Sequence, residues 1–302
     1  MLLCLSCESR GYTDLIMQKE GRVFISMNMI TLFAISLVAG LVGALSGMGG
    51  GIVLVPALTM SGIPIKVAIA ASIVSVIATS SGSASAYVRD RITHVKTGMF
   101  LEMFTISGAL IGAVIMVASA ERLLFILFGV VLLGSWVALL VHRDLSKRKV
   151  IRQDYFSQWL ELSGSYVDQA HQETIEYKGV RAYFGGPLMF GVGMIAGMLG
   201  IGAGALKVLV LDLMMGYPPK VSTTTSNMII GVTALAGASV FMAYGLIKPG
   251  IVAPVAVGVV IGALAGTKIL VRMKNQAVRY LFLVILLILG LEMVVRGIWG
   301  VV

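Results

Sequence analysis

Eight apolar runs, most close to the roughly 20 residues that carry an α-helix across a bilayer, take up most of this chain and leave few other folds open to it. They cover Ile30 to Ser46, Val67 to Val88, Gly98 to Ala118, Leu123 to Val141, Tyr183 to Leu199, Val221 to Tyr244, Gly250 to Val271 and Val278 to Val295. Backbone amides inside hydrocarbon must be satisfied internally, so runs of this length read as membrane-spanning helices. Composition agrees: only 12% of the 302 residues are charged, against about 25% in soluble domains. The fold class expected is all-α, a polytopic membrane protein of the plasma (inner) membrane.

The formal net charge of +9 does not imply nucleic acid. The basic residues sit in short clusters between apolar runs, the distribution that the positive-inside rule produces, and no nucleic-acid partner is expected. Cys4 and Cys7 form half of a possible metal site, but no further ligands accompany them, so neither a metal nor a cofactor is expected. Residues 1–28 mix charges with isolated apolar residues and lack the pattern of a secretory signal. They read as a disordered tail or as sequence upstream of the true start, since Met27 and Met29 immediately precede the first run.

The chain also contains a duplication. Gly40, Gly47, Gly49 and Gly51 align with Gly193, Gly200, Gly202 and Gly204; the register then shifts by one residue, and GIPIKV from Gly62 matches GYPPKV from Gly216. Each half has four long runs and one short one, Gly51 to Met60 or Ala205 to Met215, directly after a glycine cluster. The expected organisation is a tail at 1–28, a first transmembrane repeat at 29–142, a polar linker at 143–180 and a second repeat at 181–302. An interfacial helix near Tyr155 to Leu162 is compatible with the linker sequence.

Charge in the loops orients the halves. Arg89, Arg91 and Lys96 crowd the loop after the second long run, whereas the next loop has only Arg122 beside Glu121. The second half swaps the pattern, with Lys248 alone in the earlier loop and Lys268, Arg272, Lys274 and Arg279 in the later one. Two inverted repeats are therefore expected. Inversion requires an odd number of crossings per repeat, which arises if the first long run and the short one form a re-entrant hairpin or two separate crossings.

Six glycines between Gly40 and Gly51 need a purpose in a membrane, where irregular backbone survives only when buried in protein or lining a cavity. Gly43 with Gly47, and Gly193 with Gly197, fit close helix packing. Gly49, Gly50 and Gly51 fit it poorly, because three successive glycines break the helix they would dock. Their amides, with the positive end of the short helix after them, form a candidate anion site, and Gly202, Ala203 and Gly204 supply its second half.

The motif GMGGGIVLVP from Gly47 to Pro56, its echo GIGAGALKVL from Gly200, and the Ser/Thr-bearing helices after each resemble the TauE/SafE sulfite and organosulfonate exporter family over about Ile30 to Trp299. That resemblance implies transport of small sulfur oxyanions or carboxylated anions. The second loop departs from the pattern in having Ala203 in place of a glycine, with Lys207 and Leu209 matching Leu54 and Pro56.

Lys207 also stands out on its own, because a lysine at a helix centre in the membrane costs about 2.5 to 3.5 kcal/mol. Its partner is expected to be Asp212, an interface reached by snorkelling, or the substrate anion. Asn227, Thr225, Ser72 and Ser75 offer amide and hydroxyl donors on the helices beside the loops, although helical hydroxyls often bond back to their own carbonyls. Glu102 and Glu292 are candidates for proton carriers or for interfacial acids, and their places near span ends favour the latter.

Exporting one negative charge from a negative interior gains about 2.3 kcal/mol per 100 mV, so energetics do not demand proton coupling. Secondary transport by alternating access between the repeats is the expected function, with a small anion and the lipid bilayer as partners and a homodimer compatible with the sequence. An anion channel is the alternative. An intramembrane enzyme fits less well: Ser46 lies in a suggestive LSG, but His94, His142 and His171 all fall in loops or at span ends, leaving no base at membrane depth. No phosphate-binding GxxxxGK[ST] loop is present, which argues against ATP-driven pumping.

Overall fold

The computed structural model describes residues 29–46, 50–89, 93–141, 154–168, 173–270 and 275–300. The first half comprises α1 (Met29–Ser46), the short α2 (Gly51–Met60), α3 (Ile65–Arg89), α4 (Val95–Ala118) and α5 (Glu121–Val141). The second comprises α7 (Ala182–Leu199), the short α8 (Gly204–Leu209) running into a π-helical turn (Val210–Met214), α9 (Pro219–Ala243), α10 (Pro249–Leu270) and α11 (Asn275–Trp299). Between them lie a short helix α6 (Tyr155–Trp159) and an antiparallel hairpin of β1 (Ser163–Asp168) and β2 (Glu173–Lys178). The tail at 1–28 lies outside the described residues.

Glycine and proline set the helix boundaries. The chain leaves α2 through Gly62 at φ 87°, and leaves the π turn through the aligned Gly216 at φ 73°. Two residues after each stands a proline, Pro64 or Pro218, just before the next long helix, where the fixed φ of proline favours a helix start. The one-residue register shift between the halves coincides with the π turn, whose wider pitch absorbs one extra residue without displacing Gly216 or the start of α9.

The long helices face outward with apolar side chains: Leu110, Ile111, Val114 and Ile115 on α4 are all exposed. Over their described residues, Val95–Ala118, Glu121–Ala138, Ala182–Leu199 and Lys220–Ala243 are long and apolar enough to cross a membrane. The chain is a mostly helical, multi-pass membrane protein. The β-hairpin qualifies the all-α expectation, since the linker's alternating SGSYVD and ETIEYK pair as strands from Ser163↔Lys178 to Asp168↔Glu173.

Packing between the halves is reciprocal. Helix α1 of the first half packs on α10 of the second, and α7 of the second on α4 of the first. A β-carbon on Gly40 would overlap the backbone of Val259, and one on Gly193 would overlap its counterpart, Thr105. Gly197 meets Ala109 in the same way, so the glycines read as packing residues in α7 do bring two backbones together. Touching residues advance in the same direction along both pairs, with Gly258 on Phe33 and Gly262 on Leu37, so these helices run parallel.

Equivalent helices instead run antiparallel. Gly231 of α9 faces Ser80 of α3 while Gly237 faces Ile73. Arg122 at the start of α5 donates to the Gly297 and Ile298 carbonyls at the end of α11, at 2.9 and 3.1 Å, and Gly290 lies against Leu133. The short helices fold back beside the helices that precede them. A β-carbon on Gly50 would lie 3.5 Å from the Ala39 carbonyl, and the Val180 amide, just before α7, donates to the Met215 carbonyl at 3.0 Å.

Candidate functional site

Helix α7 ends where three of the next four residues take left-handed backbone: Gly200 (φ 65°), Gly202 (φ 68°) and Ala203 (φ 46°). Glycine takes this region freely; Ala203 carries a β-carbon there at a cost of about 1 to 2 kcal/mol. Helix α8 starts at once with Gly204, which is buried. In the first half Gly49 lies outside the described residues, Gly50 precedes α2 in helical conformation, and Gly51 is its first residue, both buried. The first amides of each short helix have no partner within the helix itself.

The two loops meet across the boundary between the halves. Ser72 Oγ donates to the Gly200 carbonyl at 2.9 Å. A β-carbon on Gly51 would lie 2.6 Å from that same Oγ and 3.1 Å from the Gly200 oxygen, so no side chain fits at this position without movement. Gly202 packs against Ile230 and Val76. Gly51, Ser72 and the 200–203 turn are therefore one closed contact, and space for a ligand there requires the α3 and α9 sides to part.

Lys207 is wholly buried. Its ammonium donates to Thr233 Oγ1 at 3.0 Å, and Thr233 in turn approaches Thr105 Oγ1 at 3.2 Å, on a helix of the other half. Glu102, one turn before Thr105, is the acid whose charge acts on Lys207. The remaining candidates are spread out. Ser75 donates back to the Ala71 carbonyl at 3.1 Å, the pattern of an ordinary helical serine. Thr225 Oγ1 accepts from the His94 amide at 3.2 Å, and Asn227 is nearly buried on α9. Sequence reasoning places Glu102 near a span end; its proximity to Lys207 depends on helices from different halves and leaves no local signal. Glu292 pairs with Arg296, one turn on, at 2.5 Å.

A second feature adjoins the start of α4. A cavity of about 500 Å³ lies between that helix end and the hairpin, lined by Thr93, His94, Lys96, Glu161, Ser163 and Tyr177 among others. His94 caps α4: its Nδ1 accepts the Thr97 amide at 3.2 Å, and Nε2 lies 3.2 Å from the Ser163 carbonyl. Burial holds the imidazole below its ordinary value, the Ser163 carbonyl opposes that shift, and the Lys96 ammonium adds to it. Burial likewise pushes the Tyr217 phenol above its usual range. Tyr217 shares a 2.6 Å hydrogen bond with Thr97 and donates to the Leu162 carbonyl at 3.0 Å, tying the linker to both halves.

Two half-helices that start from buried glycine turns inside a multi-pass helical scaffold define a membrane transport protein rather than an enzyme, and comparison with known proteins agrees. The model of the sulfite exporter TauE/SafE family matches residues 32–293, and the chain belongs to that family. It is also similar to the "Probable membrane transporter protein YunE" of Bacillus subtilis (strain 168), 25% identical over 282 residues that cover 91% of this chain and 100% of the relative. No solved structure matches it.

Proposed function

We propose that this protein is a secondary transporter that exports a small sulfur oxyanion, of the sulfonate or sulfite kind, across the inner membrane by alternating access between two inverted repeats. The observation that carries the reading is the meeting of the two glycine turns, Gly51 against Gly200, across the boundary between the halves. The antiparallel course of α3 with α9 and of α5 with α11 supports the inversion, because repeats related by an axis along the membrane normal would run their equivalent helices the same way. The fold-back of α2 beside α1, and of the π turn beside the start of α7, supports re-entrant hairpins and hence the odd parity that inversion needs.

Chemically, a bare sulfonate in hydrocarbon carries a penalty of tens of kcal/mol, so fixed donors must replace its water. The amides at the starts of α2 and α8 and the Ser72 hydroxyl are the donors at this contact, with the Lys207 ammonium one turn into α8 and Asn227 and Thr225 as further donors on α9. With neutral amides making most of the contacts, release stays possible. Rocking the α1–α10 and α4–α7 pairs against one another opens the Gly51–Gly200 contact to one side at a time.

Thermal unfolding of the purified protein tests this reading. Methanesulfonate or sulfite is expected to raise the midpoint by several degrees where chloride does not. Gly50→Val, which puts bulk beside Val259, and Lys207→Met are expected to abolish the shift. Midpoints unchanged across all small oxyanions overturn the proposed site.

A further inference from the structure

The buried charge at Lys207 has no counterpart in the other half. By the alignment that pairs Gly51 with Gly204, Lys207 corresponds to Leu54, and by the one that pairs Val259 with Thr105, Glu102 corresponds to Ala256. Leu54 is wholly buried, so the same place in the fold is filled by an apolar side chain once already. Architecture therefore does not require the charges, and replacing buried ion pairs by apolar residues is often neutral or stabilising.

No direct hydrogen bond joins Glu102 to Lys207; the path between them runs from Lys207 through Thr233 to Thr105, one turn along α4 from Glu102. Lys207 spends its contact on Thr233, while Glu102 Oε1 is shielded and has no hydrogen-bond partner among the described residues. Each is nonetheless the charge that acts on the other. Glu102 itself is only half-buried. The titratable groups on the elements packed against this part of α4 are cations and one phenol: Arg181 and Tyr183 at the start of α7, Lys220 in the first turn of α9, and Lys96 in the first turn of α4 itself. Asp212, in the π turn, is the remaining acid near Lys207 in sequence.

Resting on the reading that an anion binds beside Lys207, we propose that Glu102 is the proton-binding group of a coupled cycle: anion and proton load together. The charge balance is direct. In the empty state Glu102 carboxylate offsets the Lys207 ammonium. An arriving monovalent sulfonate takes over as countercharge and leaves two negative charges around one positive; a proton taken up at Glu102 forms the O–H bond that restores neutrality. On the far side sulfonate and proton depart, and the carboxylate again offsets the lysine. The loaded and empty forms carry the same net charge, so the membrane potential does not act on the moving repeat, and the sum of the anion and proton gradients sets the direction of net flux.

The test uses proteoliposomes containing the full chain, labelled methanesulfonate as probe, a lumenal pH dye, and potential clamped with potassium and valinomycin. Methanesulfonate suits this because it stays an anion throughout the working range, so any proton that moves with it moves by way of the protein. Wild type is expected to move one proton per sulfonate in the same direction, with flux changing less than twofold between clamps of either sign. Glu102→Gln is expected to carry sulfonate with no pH change and with severalfold dependence on potential, whereas Asp212→Asn keeps the proton coupled. Wild-type flux that is potential-dependent and leaves lumenal pH unchanged overturns the proton assignment and leaves anion transport standing, whatever the variants do. Absence of sulfonate flux in wild type overturns the transport reading itself, and the coupling with it.

Discussion

At the scale of single residues, His94 makes the clearest claim on pH. Its neutral ring caps α4, and a proton on Nδ1 would both remove the acceptor for the Thr97 amide and place positive charge at the positive end of a long helix. Because burial depresses its folded value, the unfolded chain takes up the proton first as pH falls. The stability it contributes is whole above the ordinary imidazole value of about 6.5 and is lost as pH drops from there through the lowered folded value. His94→Asn keeps a capping acceptor and removes the titration; its thermal midpoint, compared with wild type at pH 8 and pH 5, is expected to fall less on acidification. Residue identity alone made Lys207 legible as anomalous, since a lysine inside an apolar helix needs a partner. It did not reveal Glu102 or Thr233 as company, because those meet it only once helices from two halves are assembled.

Among the elements, the glycine-to-short-helix units were the most readable. Gly51–Met60 is one helix with the bounds that its sequence suggests, and the second unit starts at the aligned Gly204. What local pattern did not disclose was the π turn, visible in sequence only as a one-residue slip between the repeats, and the β-hairpin, whose alternation is short and polar enough to pass for linker. That hairpin is held by buried groups: Leu162 and Tyr177 share a core with Leu101 and Tyr217. Tyr217→Phe deletes the hydroxyl that serves Thr97 and the Leu162 carbonyl. Leaving buried polar groups unmatched costs about 1 to 3 kcal/mol. The expected result is a severalfold faster tryptic cut at the exposed Lys178 and Arg181, with the membrane helices intact; an unchanged rate shows that the hydroxyl does not hold the linker.

For the whole molecule, the distribution of lysine and arginine and the antiparallel contacts of α3 with α9 and of α5 with α11 both favour the proposed inversion. The start of α5 lies at the end of α11, so Arg122 and Asn275 lie at opposite ends of that helix. With Cys4 and Cys7 replaced by serine, single cysteines at Arg122 and at Lys274 are expected to react with an impermeant thiol reagent from opposite faces of the membrane, and same-face labelling retires the inverted arrangement. The duplication is legible in the sequence, but not the exchange of α1 and α4 between the halves, because nothing in a glycine stripe names the helix it will meet. That exchange governs biogenesis. Helix α1 leaves the ribosome long before α10 exists, and until then its glycine face must lie against lipid or a chaperone; neither half, made alone, has a mate for its own first or fourth helix. Severed at the linker, the two pieces should be recovered only when expressed together.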